Sequence, residues 1–72
     1  MTNKKQRTTR YGFRELVSPI QFHTAKLEGS TILVFQADEL IGSGRIDEIT
    51  ETTVIIGNDH FIRENCIFTY SE

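Results

Sequence analysis

Apolar and polar positions divide this chain into three parts. Residues 1 to about 10, "MTNKKQRTTR", contain no apolar side chain after Met1. Such a stretch cannot bury enough surface to offset the entropy of ordering, so it is expected to be disordered when free. "YGFREL" is a transition in which Phe13 and Leu16 are candidate anchors onto the folded part. "SPIQFHTAKLEG" then carries helix punctuation. Ser18 is an N-cap, because its hydroxyl accepts from an otherwise orphan backbone N–H. Pro19 stands at the first helical position, where its missing N–H costs nothing. Gly29 is a left-handed stop. The spacing predicts a helix over about 19–28 with Ile20, His23, Thr24 and Leu27 on one face. A helix this short survives only if it is packed.

Everything after Gly29 reads as strand and turn. "STILVFQ" places Thr31, Leu33 and Phe35 on one face and Ile32 and Val34 on the other. Both faces are apolar, so both are expected to be covered, one of them by a neighbouring subunit. "ADE" is a short turn. "LIGSGRIDEIT" is a long strand whose Gly42 and Gly44 allow a sharp bend. "TTVIIG" is a third strand, "GNDH" a turn, and "HFIREN" and "CIFTYS" are two short strands or one long bent one. Helices and strands do not alternate, which argues against a parallel sheet. The expected fold is mainly β: a short N-terminal helix followed by a five-stranded, strongly bent antiparallel small barrel. The expected organisation is a flexible basic arm over residues 1–12 and one domain over 13–72.

Charge changes the picture at the N-terminus. Residues 1 to 14 hold Lys4, Lys5, Arg7, Arg10 and Arg14 with no acid, a charge of +5, while residues 15 to 72 carry −7. Such asymmetry fits a polyanion-binding tail, a solubilising tail, or one that folds back onto its own acidic body. Tyr11 and Phe13 lie among these cations. Aromatic faces and guanidinium planes stack on single-stranded bases, but the same rings can dock the arm onto the domain. Phe13 is assigned to docking, and Tyr11 is open to both roles.

Other chemistry is sparse. Seventy-two residues make one domain at most and bury a modest core, so oligomerisation is an expected source of stability. The lone Cys66 forms no internal disulfide and reads as a small buried residue in a reducing compartment. No Cys/His set has zinc-site spacing, and Asp38, Glu39, Asp47, Glu48 and Glu51 lack calcium-loop spacing, so no metal or cofactor is expected. Asp59 and His60 are adjacent strand residues and should point to opposite faces. With no nucleophile elbow and no phosphate loop, an enzyme is not expected. No apolar run approaches the roughly 20 residues that span a bilayer, and no segment reads as a signal peptide, so a cytoplasmic location is expected.

"SPIQFHTAKLEGSTILVF", "LIGSGRIDEITETTVII" and "ENCIFTY" together resemble the Sm-like family, in particular its bacterial Hfq branch of RNA chaperones. The resemblance covers residues 16 to 70, with Gly44 and Ile46 at a Gly-x-Ile position. It implies an Sm-like (SH3-like) barrel and a homo-oligomer in which residues 60–64 of one subunit pair with residues 66–70 of the next, an arrangement that closes into a ring when the rotation allows. The departures bear on function. Glu64 and Asn65 stand where the family has a Lys-His pair that grips RNA. Thr52, preceded by Glu51, stands where it stacks a base on an aromatic ring. Lys26 is what remains of a basic helix rim, and Arg63 is the cation left beside the pore position.

The expected function is therefore non-enzymatic binding of RNA or another single-stranded nucleic acid, with no membrane role. The expected contacts are Lys4, Lys5, Arg7, Arg10, Tyr11, Lys26 and Arg63. The competing expectation is a divergent Sm-like protein-interaction module with an acidic surface and no RNA binding.

Overall fold

The computed structural model describes residues 7–8 and 12–71. In chain order the elements are β1 (Arg7–Thr8), β2 (Arg14–Leu16), α1 (Pro19–Glu28), β3 (Thr31–Gln36), β4 (Glu39–Ile49), β5 (Thr53–Ile56), β6 (Asp59–Ile62), a one-turn 3-10 helix (Arg63–Asn65) and β7 (Ile67–Tyr70). Strands of three residues or more number six among the described residues, not the expected five. Five follow the helix as anticipated; the addition is β2, which precedes it.

Local chemistry fixes both ends of α1. The Gln21 N–H donates to the Ser18 hydroxyl at 3.2 Å, and the Ser18 N–H donates back to the Gln21 side-chain oxygen at 3.1 Å. This reciprocal capping box satisfies two donors that helix geometry would leave orphaned. Gly29 ends the helix at φ 68°. The helix face expected to pack is the one left in solvent: Ile20 is 77% and Leu27 88% exposed. The buried face is Phe22 and Ala25 instead. Small Ala25 lets the helix backbone approach the sheet, and Phe22 meets Phe68 edge-on at a centroid distance of 5.3 Å. Burying one such ring stabilises by about 1.5–3 kcal/mol, which decides the orientation.

The sheet is antiparallel throughout, in the order β1-β2-β7-β3-β4-β5-β6. β1 and β6 stand at its two ends, so the hydrogen-bonded sheet is open. β4 turns the corner. Its first part pairs with β3 as far as Arg45, and from Ile46 it pairs with β5, with a register shift between Ile46 and Glu48. Gly44 supplies the backbone for this corner at φ 143°. The bend carries Phe61 of β6 over the sheet, 6.5 Å from the Phe68 ring. The β3–β4 turn uses Ala37 (φ 51°) and Asp38 (φ 68°), a left-handed conformation that costs a non-glycine residue about 1–2 kcal/mol.

The core gathers on one face of the bent sheet. Ile32, Val34, Val54, Ile56 and Phe68 are buried there, with Phe22 and Leu16 from outside the main strands. On the other face Leu33 is half-buried, while Phe35 is buried and stacks with Phe13 at 6.4 Å. At Phe35, therefore, the cover expected from a neighbouring subunit comes from this chain's own N-terminal segment, and Phe13 has the docking role assigned to it.

Candidate nucleic-acid interface

The basic segment is partly tied to the sheet. Arg7 and Thr8, expected in an unpaired arm, form β1, with Arg7 opposite Glu15 and Thr8 opposite Arg14. Gly12, at φ 88°, lies in the connection and allows the reversal. β2 continues the ladder onto β7, with Glu15 opposite Thr69 and Leu16 opposite Phe68. Leu16 is only 3% exposed and anchors the strand in the core. Lys4, Lys5, Arg10 and Tyr11 lie outside the described residues, and of Arg7 only the backbone is described.

This ladder bears on the expected subunit edge. β7 has β3 on one side and β2 on the other, so the stretch at residues 66–70 is already paired at Phe68 and Thr69. A three-residue strand that looks like linker in the sequence occupies the edge that a neighbour would need.

Register also creates a site that sequence reasoning missed. Arg14 leaves β2 on the same face as Leu16, and its guanidinium carbon lies 4.5 Å from the centroid of the Tyr70 ring. Beside this pair is a cleft of about 420 Å3, lined also by Glu28, Ser30, Thr31 and Ser71. Its walls are held by backbone bonds: the Ser71 N–H donates to the Thr31 carbonyl at 3.3 Å, and the Ser30 N–H to the Ala25 carbonyl at 3.0 Å. The only sequence signal was that Arg14 closes the basic run. Nothing local links it to Tyr70.

Arg63 sits elsewhere and is engaged. Its guanidinium lies 4.7 Å from the Phe22 ring centroid, and its Nη1 donates to the Thr50 carbonyl at 3.5 Å. Its backbone N–H donates to the Thr52 carbonyl at 2.8 Å. The adjoining cleft, about 390 Å3, brings Arg63 together with Glu15, Glu51, Thr52, Glu64 and Cys66. Glu51, Thr52 and Glu64 thus line one cleft, which holds three carboxylates and one cation among its described lining residues. Asn65 is exposed in the 3-10 turn and does not line this cleft. Burial raises the Cys66 thiol pKa above its ordinary value, so it is a poor nucleophile at neutral pH. Lys26 is exposed on α1 and lines none of these clefts. Asp59 and His60 are both exposed on β6.

Among the described residues no helix is long and apolar enough to cross a membrane. Comparison of the chain with family models, curated proteins and solved structures finds no match.

Proposed function

We propose that this chain is a small Sm-like barrel protein that binds single-stranded nucleic acid, RNA by preference, through its basic N-terminal segment. One observation carries the reading: the basic run is joined to the sheet by the pairing of Arg7 and Thr8 with Glu15 and Arg14, and the Arg14 guanidinium carbon lies 4.5 Å from the centroid of the Tyr70 ring. Cations beside an aromatic–guanidinium platform are what non-specific single-strand binding requires. The helix followed by five strands in the spatial order β7-β3-β4-β5-β6 supports the Sm-like assignment. Lys4, Lys5, Arg7 and Arg10 supply phosphate contacts, with Tyr11 beside them. Arg63 contributes little, because Glu15, Glu51 and Glu64 line the same cleft and repel phosphate.

Self-association belongs to the same proposal, with β6 as the docking edge. β6 ends the sheet, and a second copy reaches β7 by displacing β2. The acid-lined cleft around Arg63 favours a second reading, in which a protein partner inserts a basic side chain there. Binding titrations with oligouridine, oligoadenosine and duplex DNA over a range of salt separate the two. Single strands should bind more tightly than duplex, with a linear loss of affinity against log salt. Binding of none of the three at low salt rejects the nucleic-acid reading and leaves the protein-partner one.

A further inference from the structure

We propose that the cleft beside Arg14 and Tyr70 is a nucleotide pocket that takes one base bearing an exocyclic amine, from a single strand. The inference rests on the nucleic-acid reading above and adds where a base goes and which bases are accepted.

The platform comes first. Tyr70 is half-buried, packs against the core cluster, and lies opposite Ile32 in the sheet, so its ring is held in place. Arg14 is exposed and lies 4.5 Å above that ring. An exposed guanidinium plane can stack on a second planar partner as well as on the tyrosine. Bases splayed from a single strand stack on such planes, whereas bases within a duplex cannot reach them. The cleft of about 420 Å3 lies within the range of small-ligand sites, about 300–1,000 Å3.

The lining sets selectivity. Ser30, Thr31 and Ser71 offer hydroxyls, which both donate and accept. Among the described residues Glu28 is the one carboxylate in the lining, and an ionised carboxylate only accepts. It therefore favours a base edge with an amine, as in adenine, cytosine or guanine. Uracil has no exocyclic amine: its edge is a single ring N3–H flanked by two carbonyl oxygens, which an ionised carboxylate repels. Glu28 also repels phosphate, which orients the base inward and leaves the nucleic-acid backbone to cations outside the cleft.

The test uses the full chain in NMR titrations with oligoadenosine, oligocytidine and oligouridine, alongside affinity measurements. Oligoadenosine and oligocytidine should shift the Tyr70 ring and Arg14 Nε–H signals, and oligouridine should bind roughly tenfold more weakly. Arg14→Lys keeps the charge and loses the plane. It should weaken oligoadenosine binding by about tenfold, within the range for one stacked base, and leave the salt slope unchanged. Glu28→Gln, which can donate as well as accept, should erase the discrimination against oligouridine. If oligonucleotides bind with a normal salt slope while the Tyr70 and Arg14 signals stay fixed, or if oligouridine binds as well as oligoadenosine, the pocket is refuted and the nucleic-acid reading stands. If no oligonucleotide binds at all, both are refuted.

Discussion

The Phe61 ring lies over the bare Cα of Gly42, so close that a Cβ on Gly42 would fall 2.6 Å from the ring's Cζ. Phe61 is also held by Phe68 and is 9% exposed, so it has little room to move. Gly42→Ala should therefore destabilise by about 1–3 kcal/mol through overpacking. Gly44 is constrained differently: its φ is 143°, and a Cβ would meet Ile56 at 3.0 Å. Gly44→Val should cost at least ~1–3 kcal/mol from backbone strain alone. In a domain of this size each kcal/mol lowers the melting temperature by about 4–8 °C. An unchanged melting temperature would show, for Gly42→Ala, that Phe61 can shift aside and, for Gly44→Val, that the corner can be built without a glycine there.

That Gly42 makes room for the Phe61 ring was not legible in the sequence; Gly44 was, as a bend within a long strand, because the signal is local. The same holds for the ends of α1, where Ser18, Pro19, Gln21 and Gly29 act within a few residues of one another. What was not legible depends on distant partners. α1 carries apolar residues on two stripes, and only the position of Phe68 decides that Phe22 goes inward while Ile20 and Leu27 stay out. "REL" has no strand signal of its own; it becomes β2 because β7 offers an edge and Leu16 finds the core. For the candidate site, the basic run was visible by composition. The pairing of Arg14 with Tyr70 was not, since it follows from sheet register between the two ends of the chain.

Thr69 is fully buried, and its hydroxyl has no hydrogen-bond partner among the described residues. A desolvated hydroxyl without a partner costs about 1–3 kcal/mol. Thr69→Val has nearly the same shape and should raise stability by ~1 kcal/mol, read as a higher urea midpoint at unchanged slope. A lower midpoint would mean that the hydroxyl is satisfied.

The Cys66 thiol has its pKa raised by burial, which penalises the thiolate. The folded state thus holds its proton to higher pH than the unfolded state does. That contribution to stability is fully present below the ordinary thiol value of 9.0 and is lost as pH rises through the folded value. Cys66→Ala should remove this component, so the stability curves of wild type and variant should run parallel below pH 9 and converge or cross above it. Parallel curves at all pH values would contradict it.

β2 shields β7 with only two residue pairs, Glu15 with Thr69 and Leu16 with Phe68. Glu15→Pro removes a backbone N–H and restricts φ without touching the buried Leu16. An uncovered strand edge recruits other strands. The variant should self-associate at lower concentration than wild type in sedimentation velocity, by about tenfold if the released edge adds ~1.4 kcal/mol to the contact. Identical behaviour would show that β7 is not a docking edge.

The central claim is that the cations of the N-terminal segment, not those of the acidic body, make the phosphate contacts. The most direct test is the salt dependence of single-stranded RNA binding, measured by fluorescence anisotropy for wild type and for the variant with Lys4, Lys5, Arg7 and Arg10 all changed to Ser. Neutralising about four phosphates gives an expected log–log slope near −3 for wild type. The variant should lose both the affinity and the slope while its melting temperature stays nearly unchanged. Retention of affinity and slope in the variant would contradict the claim and direct attention to Arg63 and Lys26. A sharp fall in melting temperature would show instead that these cations serve to neutralise the chain's own body.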